Sequence, residues 1–133
     1  MTAFDVPAVP ESLDTVQDRF AVWWDGLGVD DVARRFALET AVAEIAANIV
    51  EHTARTDRQA GRRYTVELRA TEQEYTAVLR DNGLPVDLDL SAVTMADVDA
   101  ENGRGLALAI AALDRLEHRH EGGHNVWTLV CTR

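Results

Sequence analysis

Glu44, Asn48 and His52 stand four residues apart along the chain. In a helix that spacing puts all three side chains on one face. A carboxylate and an amide oxygen one turn apart suit chemistry around a hydrated Mg²⁺. The amide oxygen can ligate the metal, which keeps several waters and takes octahedral oxygen geometry. The carboxylate can take a proton from an attacking hydroxyl or water. Taken alone, the three positions read more readily as a solvated helix face. Asp81-Asn82-Gly83 forms a second group. A buried aspartate there can accept the exocyclic amine of an adenine and penalise a keto base. Gly83 lets a base approach the backbone closely. By itself the tripeptide is an ordinary turn. Gly103-Arg104-Gly105 forms a third group, directly before an alanine-rich apolar run. Backbone N–H groups at a helix start can cradle a phosphate, and Arg104 can add a charge contact. A lone Gly-x-Gly is weak evidence.

The elements that must position these groups are legible in the periodicity. Residues 1–10 hold two prolines and a short apolar alternation, enough for a short edge strand or an extended arm. Leu13, Val16, Phe20, Trp23 and Leu27 recur at spacings of three and four, which predicts an amphipathic helix capped by Ser12 and ended by Gly26 and Gly28. A second helix, capped by Asp30, is expected to run to about Ala54, with Val32, Phe36, Ala43, Ala47 and Val50 among its apolar residues. Tyr64 to Ala70 alternates as a half-buried strand, and Tyr75 to Leu79 as another that stops at Asp81. Residues 84–102 show no periodicity and carry Asp87, Asp89, Asp97 and Asp99. A loop of that length is usually a lid or a binding segment. Its aspartates form a solvated loop or repel a bound nucleotide. A third helix is expected from Gly103 to about Leu116, then a strand at 117–120, a turn at 121–124 and a closing strand at 126–132. Hairpin-paired strands in one layer and helices in the other give an α+β fold, a two-layer α/β sandwich with a mostly antiparallel sheet.

Composition bounds the function. The 133 residues are long enough for one domain with a real core. A net charge of −10 argues against a protein that grips nucleic-acid phosphates. No run of about 18 apolar residues spans a membrane, and the N-terminus lacks the basic start and apolar run of a signal peptide. The expected location is the cytoplasm. The single Cys131 fits a reducing compartment and reads as a packed small residue.

The order of the three groups resembles the nucleotide site of the GHKL (histidine-kinase-like) ATPase superfamily, whose domain has the Bergerat-type ATP-binding fold. AVAEIAANIVEHT resembles its N-box, LRDNGLP its first glycine box and ENGRGLALAIA its second. The resemblance covers nearly the whole chain, as a single ATPase domain over 1–133 with an ATP lid at 84–102. Within the superfamily the chain looks most like the anti-sigma-factor serine/threonine-protein kinases of the RsbW/SpoIIAB type. The bare-domain length, the opening VPAVPESLDTV and Glu44 carry that likeness. Histidine kinases usually have Asn at the position of Glu44, because their acceptor needs no strong base.

The resemblance implies roles. Glu44 is the catalytic base and Asn48 the Mg²⁺ ligand. Asn48, His52, Asp81, Gly83, Gly103, Arg104, Gly105, Leu106 and Asn125 line the ATP site, with Asp81 on the adenine amine. ATP and Mg²⁺ are the cofactors. The partners are a sigma factor and an anti-sigma-factor antagonist that is phosphorylated, with no direct nucleic acid or membrane contact, and the family suggests a homodimer. The alternative is a non-catalytic or nucleotide-gated partner-binding module on the same fold. Three positions depart from the pattern. Pro85 stands where the wider superfamily has a second glycine, the second glycine box is short, and Asn125 replaces the threonine that usually supports adenine.

Three other features carry less. His118, His120 and His124 lack a Cys or carboxylate at metal-site spacing and are expected to decorate an exposed strand. Trp23 fits the first helix's apolar stripe. Trp24 lies off it and is the better surface candidate for a partner contact.

Overall fold

The computed structural model describes residues 1–56, 61–85, 107 and 110–133. The element order is β1 (Thr2–Pro7), α1 (Ser12–Gly26), α2 (Val32–Thr56), β2 (Arg63–Ala70), β3 (Glu74–Asp81), β4 (Arg115–Glu121) and β5 (His124–Thr132). The strands form one sheet in the order β1-β2-β3-β5-β4, every pair antiparallel. Both helices pack on the same face of that sheet, giving the expected two-layer α+β sandwich. β1 is the edge strand that the N-terminal alternation allows, and Val6 is its buried residue.

Alternation decides which side chains meet the helices. Tyr64, Val66 and Leu68 of β2 and Tyr75, Ala77 and Leu79 of β3 are buried. Trp127, Leu129 and Cys131 of β5 continue the same inner face. The β4–β5 hairpin turns through Gly122 and Gly123, at φ 58° and 79°. Left-handed conformations at both central residues make the two-residue turn that matches strand twist. Fully burying each large side chain of such a core stabilises by about 1.5–3 kcal/mol.

Several expectations are corrected. Ser12 does not cap α1: Glu11 is the cap residue, with no side-chain cap bond. Ser12 Oγ instead donates to the Val9 carbonyl at 2.8 Å. Because its one proton goes there, the Tyr64 hydroxyl donates to Ser12 Oγ, at 2.6 Å. Asp31, not Asp30, caps α2, its Oδ1 accepting the Arg34 N–H. On α2, Val32 and Phe36 are exposed. The buried stripe is Leu38, Ala41, Val42, Ile45, Ala46, Ile49 and Val50. Two competing apolar stripes start this helix, and the sheet takes the one that continues to its end. Trp24 is core, 3% exposed, with its ring 4.7 Å from that of Tyr75 and 6.2 Å from that of Phe20. A helix stripe facing a sheet is wide enough to take adjacent positions. The third helix ends earlier than expected. Residues 107 and 110–112 are helical, but β4 already begins at Arg115.

The Tyr64 hydroxyl gives a testable alkaline limit. Burial, the dominant cause, raises its pKa above the ordinary tyrosine value. The unfolded chain therefore releases this proton at a lower pH than the folded one. Stability from this group is intact below about pH 10 and falls as pH rises above it. Cys131, raised by burial and then by Asp114, slopes the same way. Tyr64→Phe is expected to cost about 1 kcal/mol at neutral pH. Urea unfolding at neutral and alkaline pH measures both. The gap between variant and wild type should narrow as pH passes 10, and a constant gap would contradict the account.

Candidate functional site

Asp81 ends β3 in phase with its buried face, so its carboxylate points toward the helices rather than into solvent. The sheet register sets Tyr64 of β2 on one side of it and Asn125 of β5 on the other. Asp81 is 4% exposed and Asn125 fully buried. Asp81 Oδ1 accepts two hydrogen bonds, from the Gly83 N–H at 2.9 Å and from Asn125 Nδ2 at 3.0 Å. No described residue donates to Asp81 Oδ2. A buried carboxylate holds its charge by taking hydrogen bonds on its oxygens. Here one oxygen takes two bonds, and the other takes none from the described residues.

Gly83 sits directly against the carboxylate. A Cβ built on it would lie 3.1 Å from Asp81 Oδ1 and 3.8 Å from Thr53 Oγ1. A side chain at 83 would press on the carboxylate, so the close approach needs glycine. Thr53 belongs to the last turns of α2, so α2 lies close to the end of β3 here. His52, one residue earlier, reinforces it: its Nε2 lies 3.3 Å from the Leu84 carbonyl oxygen. A carbonyl only accepts, so Nε2 carries the proton. Asn125 Nδ2 donates to the same carbonyl at 2.7 Å. Leu84, the first residue of the expected lid, is thus held from α2 and from β5 together.

Glu44 and Asn48 lie on the face of α2 that His52 continues, two turns and one turn before it. Both are half-buried. The structure therefore joins Asp81, Gly83, His52 and Asn125 by contacts at one end of the sheet, with Asn48 and Glu44 following on the same helix face. Gly103, Arg104, Gly105 and Leu106 lie outside the described residues, as does the lid beyond Pro85. Glu44 and Asn48 offer an acceptor carboxylate and an amide oxygen, the donor types that suit a proton and a hydrated Mg²⁺. The Asp81 oxygen to which no described residue donates, beside Gly83, suits the amine edge of an adenine.

One member of this corner was not expected. His118 does not merely decorate β4: its Nε2 lies 3.2 Å from Asn125 Oδ1. Its ring packs 4.3 Å from that of Trp127. The Gly122-Gly123 turn carries the signal. It fixes the hairpin register, pairing His120 with Asn125 and His118 with Trp127. Residues 118 and 125 are then diagonal neighbours on the inner face. No cluster of three or more His, Cys, Asp or Glu side chains able to hold a metal ion occurs among the described residues.

The family model described as "Histidine kinase-like ATPase domain" matches residues 6–131. Among solved structures, the fold is similar to that titled "The crystal structure of the RsbU and RsbW domains of Rv1364c from Mycobacterium tuberculosis". The TM-score is 0.65 and the identity 22%, over 100% of this chain and 33% of that one. The chain thus spans about a third of the solved structure's length, and the likeness is one of fold. No curated protein matches the sequence. No helix among the described residues is long and apolar enough to cross a membrane.

Proposed function

The chain belongs to the histidine kinase-like ATPase domain family, and from that premise we propose that it is an ATP-dependent serine/threonine-protein kinase acting as an anti-sigma factor. In this reading it sequesters a sigma factor and phosphorylates a small antagonist protein. The observation that supports the nucleotide part is the Asp81 carboxylate, buried, accepting two bonds on one oxygen and none from the described residues on the other. An adenine amine supplies the missing donor. A keto group at the same place would set two acceptors against each other.

ATP supplies the γ-phosphoryl group, and Mg²⁺ neutralises charge on its oxygens. Asn48 would hold the metal through its amide oxygen. Glu44 would accept the proton of the attacking serine or threonine hydroxyl, which an Asn at that position could not do. His52 and Asn125 hold the root of the lid through the Leu84 carbonyl, while Gly103, Arg104, Gly105 and Leu106 would receive the phosphates. The lid at 84–102 would exclude water from the transfer. A net charge of −10 suits a basic partner surface.

The test is transfer from γ-labelled ATP, with Mg²⁺, to small antagonist domains that carry a serine or threonine acceptor. The reading expects an acid-stable phosphate on serine or threonine, and release of a bound sigma factor when the unphosphorylated antagonist is added. Acid-labile phosphate on histidine, or no transfer from a chain that binds ATP, would contradict it.

A further inference from the structure

We propose that the Thr53 hydroxyl is a second contact for the base, donating to an adenine ring nitrogen beside the amine that Asp81 accepts. This role deepens the reading of Asp81 as the carboxylate that holds the base, and it rests on that reading.

Thr53 stands where an apolar residue would be expected. It lies four residues after Ile49 and seven after Ala46, in phase with the buried stripe of α2. It is itself buried, 8% exposed. A threonine inside a helix can turn its hydroxyl back to the carbonyl four residues earlier. Thr53 Oγ1 does not, and no other described residue hydrogen-bonds it. Hydroxyls on buried residues nearly always have a partner. Solvent still reaches this oxygen, which is not one of the fully enclosed side-chain atoms that lack a bond.

Gly83 provides the space that the hydroxyl borders. The point where a Cβ would stand on Gly83 lies 3.1 Å from Asp81 Oδ1 and 3.8 Å from Thr53 Oγ1. The missing side chain leaves a gap with a carboxylate from β3 on one side and a hydroxyl from α2 on the other. An ionised carboxylate only accepts, whereas a hydroxyl can donate. Adenine presents the matching pair. Its 6-amine donates, and the ring nitrogens on either side of that amine, N1 and N7, only accept. A base with its amine on Asp81 then needs a donor next along its edge. Thr53 is the uncommitted hydroxyl at that corner.

The experiment measures Mg²⁺-ATP binding by calorimetry for wild type, Thr53→Val and Thr53→Ser. It is repeated with 1-deaza-ATP and 7-deaza-ATP, each of which has C–H in place of one ring nitrogen. Val keeps the shape of threonine without the hydroxyl, and Ser keeps the hydroxyl. Thr53→Val should weaken ATP binding about three- to tenfold, and Thr53→Ser should stay within about twofold of wild type. With one of the two analogues, wild type should bind as weakly as Thr53→Val binds ATP, and the Val substitution should cost nothing further. A Val penalty that persists with both analogues overturns the role of Thr53. So does the absence of any penalty with ATP, in a wild type that binds it; either result leaves the base-holding role of Asp81 intact. A wild type that binds no ATP overturns both. Urea unfolding separates a site role from a structural one. The hydroxyl has no partner among the described residues to lose, so Thr53→Val should unfold at no lower urea concentration than wild type. A lower midpoint would place the hydroxyl in the bonding of the fold itself and overturn the proposal.

Discussion

Glu44→Ala is expected to lower phosphate transfer by about 100- to 10,000-fold, the usual contribution of a general base. ATP affinity should stay within about twofold of wild type, because in the proposed mechanism the carboxylate meets the acceptor hydroxyl rather than the nucleotide. Glu44 is half-buried on α2, on the face that leads to His52. The helix can lose this side chain without breaking a core contact, since its buried stripe is carried by Ile45, Ile49 and their neighbours. Single-turnover transfer and calorimetry on the same preparation separate the two effects. Normal transfer by the variant would remove Glu44 from the chemistry.

Asp81→Asn is expected to show the reverse pattern, with binding lost first. The new amide oxygen can take the place of Oδ1 and still accept from Gly83 and Asn125. Its NH₂ group then replaces the open oxygen and faces the adenine amine, donor against donor. One good hydrogen bond becomes an unpaired, crowded contact, which costs on the order of 1–3 kcal/mol. ATP affinity should fall roughly 10- to 150-fold. The fold should hold, because the two bonds on Oδ1 survive. Calorimetry beside a urea melt reads both quantities. Undiminished ATP affinity in this variant would mean that the base is held elsewhere.

The sheet and its partners were readable because period-2 alternation is strong in β2, β3 and β5. Asp81 was visible as a candidate through the Asp-Asn-Gly tripeptide at a strand end and its resemblance to the first glycine box; its phase with Tyr75, Ala77 and Leu79 explains why it is buried. What the sequence hid depends on contacts between distant segments. Trp24 lies off the narrow helix stripe, yet Tyr75 reaches it from β3. Val32 and Phe36 match the helical period but face outward, because α2 carries a second stripe with more small residues against the sheet. Ser12 has the chemistry of a cap, but the Val9 carbonyl and Tyr64 take its hydroxyl. His118 needed the register of a hairpin, and that register turns on two glycines. The Glu44, Asn48 and His52 spacing placed them on one helix face from sequence alone. That the end of this helix meets Gly83 and Leu84 required the packing of α2 on β3.

The central claim is that this corner holds a metal-bound adenine nucleotide. Calorimetry of ATP binding, with and without Mg²⁺, on wild type and Asn48→Ala tests it most directly. The account predicts saturable, Mg²⁺-dependent binding in wild type and its loss in Asn48→Ala. No binding by wild type at millimolar ATP, or equal Mg²⁺-dependent binding by both proteins, would contradict it.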